Sequence, residues 1–187
     1  MTDEQRSPEW QTNLWAPWRM EYIESLGEPD NGKCFLCDIR DHPAKDEENF
    51  LIWRGRRSLT ILNRFPYAGG HSLIAPLEHV GELGDLDDAT VLEMMGAVRD
   101  IQQVLAQEIH AQGFNVGINV GRCAGAGLPG HLHIHVVPRW NGDTNFVTVF
   151  GDIRVIPDAL ARLRERLCRA SEALGLPKPP ADPDAPR

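Results

Sequence analysis

The sequence predicts an α+β domain with a mostly antiparallel sheet of about five strands. One long helix packs on the sheet, and a second helix lies near the C-terminus. Three observations carry this. Short apolar runs are joined by turn residues, one stretch has a long 3.6-residue apolar stripe, and no β–α–β alternation is present. At 187 residues one domain is the default, long enough to bury a core. The expected division is a loose arm over 1–13, a folded domain over 14–175 and a Pro-rich tail over 176–187.

Taken in order, residues 14–23 hold Leu14, Trp15, Trp18, Met20, Tyr22 and Ile23, a cluster whose large surface must be covered by the domain or by a second subunit. A turn-rich approach from Gly27 leads to Cys34-Phe35-Leu36-Cys37. Phe50–Trp53 and Ser58–Asn63 read as strands joined by Arg54-Gly55-Arg56-Arg57, hence an antiparallel hairpin. Ser72–Ala75 is a third strand, ending at Pro76. Asp87 or Asp88 caps a helix whose face carries Val91, Met94, Met95, Val98, Ile101, Leu105 and Ile109, with Gly113 as its stop. Phe114–Gly121 alternates as a strand, and Phe146–Phe150 is a short apolar run. Leu160, Leu163, Leu167, Ala170 and Leu174 stripe a final helix closed by Gly175. Five prolines among residues 177–187 mark that stretch as unstructured.

The stretch around which these elements are arranged is His131-Leu132-His133-Ile134-His135-Val136-Val137, stopped by Pro138. Histidine and aliphatic residues alternate with the period of a half-buried strand, so Leu132, Ile134 and Val136 face the core and the three imidazoles share the other face. A solvated set of three is the plain alternative, but a strand-forming segment seldom places three histidines in register by accident. Gly121, Gly125, Gly127 and Gly130 precede them in a loop where a backbone can approach phosphate closely.

Composition narrows the partners. A formal net charge of −8 leaves no broad basic face for nucleic acid, so an anionic ligand must be held by a local pocket. No apolar leader or membrane-length run is present. Four cysteines, two of them as Cys34-x-x-Cys37, fit a reducing cytoplasm better than a secreted disulfide framework. That pair is half of a tetrahedral zinc set, and a redox pair or two plain buried thiols remain open beside it.

The run His-φ-His-φ-His-φ-φ, within Gly127-Leu128-Pro129-Gly130-His131 through Arg139-Trp140, resembles the signature of the histidine-triad family of nucleotide hydrolases and transferases, and within it the diadenosine tetraphosphate phosphorylase-like branch. The likeness runs from about Leu14 to about Leu174. It implies a meander-like sheet, a two-fold dimer, and cleavage of a nucleotide phosphoanhydride through a nucleotidyl-histidine intermediate. Inorganic phosphate or water would be the acceptor, with no organic cofactor. By the same resemblance His133 is the nucleophile, His135 contacts the phosphate or leaving group, His131 supports from the first position and His71 braces the site. Asn119, with the backbone at Gly125 and Gly127, would bind phosphate, and Asn63 the ribose. Some bacterial relatives add a structural zinc, which here would take Cys34, Cys37, His79 and His131. One departure is Leu128, where many hydrolase members carry Ser or Thr. It removes a hydroxyl from the leaving group and sits better with the phosphorylase-like branch, as do Arg139-Trp140 and Gly142–Phe146. The alternative class is a nucleotide-sensing protein of the same fold without useful turnover.

Overall fold

The computed structural model describes residues 34–143 and 159–178. The N-terminal arm, the aromatic cluster at 14–23, the apolar run 146–150 and the tail beyond 178 lie outside the described residues.

The described chain forms α1 (Phe35–Asp41), β1 (Leu51–Arg54), β2 (Ser58–Leu62), β3 (Ser72–Pro76), α2 (Asp88–Ile109), β4 (Gly113–Ile118), β5 (Ile134–Arg139) and α3 (Leu160–Leu174). The five strands make one sheet in the order β1-β2-β3-β5-β4, every pair antiparallel. The predicted α+β architecture is the observed one.

Both faces of the sheet are covered, which is why β2 and β3 are buried at every residue instead of alternating. On one face Ile52, Leu62, Ile74, Ile134 and Val136 meet Met94, Val98, Ile101 and Leu105 of α2 and Leu163 and Leu167 of α3. On the other, Leu51, Leu59, Ile61, Leu73 and Ala75 meet Leu36 and Ile39 of α1. A register shift in β1 between Leu51 and Trp53 lets Ile52 and Trp53 both join the first cluster.

Helix α2 starts as read: the Asp87 side chain accepts from the Thr90 N–H at 2.6 Å. Its buried face departs from the predicted stripe at several places. Met95 is half exposed, while Ala97, Asp100 and Val104 are buried. The helix also stops earlier than Gly113 implied, at Ile109, with His110 in the left-handed conformation (φ 54°) as its cap. Strand β4 accordingly begins at Gly113 and ends at Ile118, not Gly121. Helix α1 begins within Cys34-Phe35-Leu36-Cys37, a stretch to which the sequence assigns no element. At α3 the expectation holds, with Gly175 left-handed at the stop. Residues 176–178, the start of the expected tail, are held. Leu176 is buried in the first cluster, and the Lys178 N–H donates to the buried Asp100 at 2.7 Å.

Candidate functional site

Strand β5 begins at Ile134, so His131 and His133 precede it and only His135 lies in the ladder. The core half of the alternation is as expected: Leu132, Ile134 and Val136 are all buried. The polar half divides. The rings of His133 and His135 lie edge to face with centroids 4.9 Å apart. His131 does not share their contacts. Its ring lies 5.2 Å from that of His79, and its Nδ1 is 3.1 Å from Cys34 Sγ and 3.6 Å from Cys37 Sγ. Of the three imidazoles expected on one face, His133 and His135 are in ring contact, and the first is turned to the cysteines and His79 with which the expected zinc set groups it.

Hydrogen bonds assign each ring its tautomer. His133 Nδ1 is 2.9 Å from the carbonyl oxygen of His131, which can only accept, so Nδ1 carries the proton and Nε2 keeps its lone pair. His71 Nδ1 accepts from the Tyr67 N–H at 3.1 Å, with Asn63 Nδ2 at 3.2 Å. Its proton is therefore on Nε2, which donates to His135 Nδ1 at 3.0 Å. His135 in turn carries its proton on Nε2, as a donor. His131 Nε2 donates to the Pro76 carbonyl at 2.9 Å, leaving the Nδ1 lone pair for the cysteine side. Burial favours the neutral form of His131 and His133. Desolvation lowers His133 below the ordinary histidine value and lowers His131 to about 4.

The local folding around these rings has visible causes. His71 follows Gly70, whose φ of 84° suits glycine and whose added Cβ would lie 2.8 Å from Ile109 and 2.9 Å from Leu105. Tyr67 stacks on His71 with centroids 4.7 Å apart. His135 faces Leu73 on β3 and Gly117 on β4, and a Cβ at Gly117 would meet nothing within 4 Å. Among the described residues, a side chain at Gly117 would therefore enter open space beside the His135 position.

Of the other predicted residues, Asn63 is built into the brace. Besides its contact with His71, its Oδ1 accepts the Phe65 N–H at 3.0 Å. Asn119 Nδ2 donates to the Gly125 carbonyl at 3.4 Å, tying the end of the β4 segment to the glycine loop. Gly125 is left-handed (φ 84°) and exposed, and Gly127 is half-buried two residues on. Leu128 packs against the second core cluster. Arg139 and Trp140 are structural. Arg139 bonds Asp143 and, at 2.9 Å, Asn115, while Trp140 Nε1 donates to the Ile109 carbonyl at 3.0 Å at the end of α2. Tyr67 was missed from sequence, where nothing local marks a residue four before His71 as its partner. A groove of about 520 Å³ lined by Trp53, Arg56, Leu92, Met95 and Lys178 contains none of these groups.

Cys34, Cys37, His79 and His131 offer donor atoms that all lie within 4.8 Å of one another. Two thiols and two imidazoles are a zinc-type donor set, and the His131 tautomer aims a lone pair into it. The residues fit a metal. In the free thiol form burial pushes Cys34 up to about 11, and ligation would reverse that by taking the thiolate.

A HIT domain model matches residues 44–142, more than half of the chain and all of the sheet. The chain belongs to the HIT family. Among its relatives is the AP-4-A phosphorylase of Mycobacterium tuberculosis, 38% identical over 158 residues, 82% of this chain and 81% of that one. The asymmetrical bis(5'-nucleosyl)-tetraphosphatase of Schizosaccharomyces pombe is 33% identical over 93 residues, half of each chain. Among solved structures, a Zn-bound histidine triad protein from Mycobacterium smegmatis superposes with a TM-score of 0.63 at 31% identity, covering 77% of this chain and 96% of that one. Two of these relatives carry names that describe dinucleoside polyphosphate chemistry. Among the described residues no helix is long and apolar enough to cross a membrane.

Proposed function

We propose that this HIT protein cleaves dinucleoside polyphosphates, diadenosine tetraphosphate foremost, by phosphorolysis through a nucleotidyl-His133 intermediate. The observation that carries it is the His133 tautomer: a buried, neutral imidazole whose Nδ1–H is spent on the His131 carbonyl and whose Nε2 is the nucleophilic atom. Nε2 attacks the α-phosphorus, and the bond from phosphorus to the bridging oxygen breaks. ATP leaves, and AMP stays on the ring. His135 Nε2–H donates to a phosphoryl oxygen, stabilising the charge that builds there. His71, set by Tyr67 and Asn63, is a positioning residue that holds that donor. Asn119 and the backbone at Gly125 and Gly127 bind the phosphate chain, and Asn63 reaches the ribose with the Nδ2 hydrogen not directed at His71. Inorganic phosphate then attacks the phosphorus of AMP-His133, giving ADP and the free imidazole. The 38% identical phosphorylase and Leu128 both favour phosphate over water as acceptor.

Zinc held by Cys34, Cys37, His79 and His131 would supply a structural crosslink and no chemistry at phosphorus. The four cysteines of the chain are free, which suits a reducing cytoplasm. A second copy of the chain is the partner we infer. Strand β4 is a sheet edge among the described residues, with Val116 and Val120 exposed on and beside it.

The test is incubation with diadenosine tetraphosphate with and without phosphate. ATP plus ADP, only when phosphate is present, supports the proposal. ATP plus AMP at equal rate in both replaces phosphorolysis by hydrolysis. Tight nucleotide binding with no products overturns the enzyme reading.

A further inference from the structure

The sheet ladder ends one residue after the nucleophile. Pairing of β5 with β3 and with β4 stops at Ile134 on both sides, opposite Ile74 and Ile118. The backbone that fixes the His133 tautomer, the carbonyl of His131, therefore lies outside the ladder. The His131 N–H donates to the Leu128 carbonyl at 3.3 Å, and three further contacts hold this backbone. His131 Nε2 donates to the Pro76 carbonyl, the Leu132 N–H donates to the Val80 carbonyl at 2.7 Å, and His131 Nδ1 faces Cys34, Cys37 and His79. Segment 79–81, which carries His79, presses on the same backbone. Gly130 lies against the His79 ring, and a Cβ on Gly81 would come within 2.7 Å of the Pro129 carbonyl. The four-residue centre thus ties α1 and the segment after β3 to the residues that lie just before the ladder.

We propose that metal occupancy of the Cys34–Cys37–His79–His131 centre positions the nucleophile. Ligation of His131 Nδ1 holds its carbonyl where it accepts from His133 Nδ1, and so keeps Nε2 as the reacting nitrogen. His131 is a positioning residue acting through its backbone, not a group at the phosphate. The proposal rests on the reading of His133 as nucleophile. Its consequence is local: losing the metal loosens residues 130–133 and leaves the paired strands as they were.

The experiment compares zinc-loaded and chelator-treated full-length protein without substrate. Two readouts are used: backbone amide exchange, and ¹⁵N shifts of the histidine rings, which report the tautomer. On zinc removal we expect the Leu132 amide to exchange at least about 10-fold faster and the His133 ring to lose its single Nδ1–H form. The amides of Leu73 and Ile74 stay protected, and zinc restores the first state. Variant H79A, which leaves three ligands, is expected to sit between the two states. Identical exchange and tautomer with and without zinc overturn the proposal, as does a chain that takes up no zinc. Loss of protection across the whole sheet also overturns it, because the centre would then staple the entire fold. No step uses substrate, so these outcomes are separate from whether diadenosine tetraphosphate is cleaved.

Discussion

The two faces of the sheet do different work with the same strands. Under α2 and α3 the contacts with the sheet are mainly hydrocarbon on hydrocarbon, and Ile101, Val104 and Leu105 have no exposed surface at all. Under α1 the packing begins in the same way, with Leu36 and Ile39 on Leu59, Ile61 and Leu73, and then gives way to thiols and imidazoles. Strand β5 shows the division within one segment. Ile134 and Val136 hold the first face, while His135 between them belongs to the second. Side-chain alternation on a strand lets one stretch of chain stabilise the fold and carry the chemistry, with each residue assigned to a single task.

This separation can be broken from either face. The largest effect is expected from His133→Ala. Its turnover of diadenosine tetraphosphate should fall by on the order of 10⁴-fold or more with the melting temperature little changed, measured by steady-state kinetics beside thermal unfolding. Residual turnover at one-tenth of wild type would exclude the nucleophile. Next is Ile101→Ala on the other face, expected to lower stability by about 2–5 kcal/mol in urea unfolding. The rate per folded molecule should stay the same, and a matching loss of rate would show the faces coupled. His71→Ala should reduce turnover by roughly 10–100-fold, the usual scale for a lost orienting partner. The loss should lie in kcat more than in KM, because the nucleotide is still bound.

The smallest effect concerns pH. His131 and His133 are neutral in the folded chain because burial depresses both, whereas the unfolded chain protonates them near 6.5. Below that value the unfolded state binds more protons at both rings, for His131 down to about 4, so their contribution to stability is full above 6.5 and is lost as pH falls. Metal-free protein is expected to melt lower by on the order of 5 °C across this window. His131→Asn should flatten the slope in a thermal scan, and an unchanged slope would mean that His131 is not one of the groups that titrate.

Much of this was legible in the sequence because it is periodic or local. The β1–β2 hairpin, the stripe of α2, its Asp87 cap and the Gly175 stop each occupy a few neighbouring residues. What was not legible depends on distant partners or weak signals. Helix α1 is seven residues long with two buried, too short for a periodic stripe to show. Helix α2 is capped by His110, left-handed without being glycine, so the glycine that marks a stop in the sequence, Gly113, lies beyond the true end. The alternation at 131–135 identified the site but not its division. That the first ring turns to Cys34, 97 residues away, follows from where α1 docks, which no local pattern records. Asn63 illustrates the same limit. Its motif position pointed to ribose, while the fold also gives it the task of bracing His71.

The central claim, that the His133 ring becomes covalently bonded to nucleotide, has a direct measurement: rapid quenching of the full-length protein with radiolabelled diadenosine tetraphosphate, followed by mass spectrometry of the peptide that contains residue 133. The account predicts an acid-labile AMP adduct on His133, formed as fast as ATP is released, discharged to ADP by phosphate and absent from His133→Ala. Turnover with no adduct at any time point, or an adduct on a different residue, would contradict it.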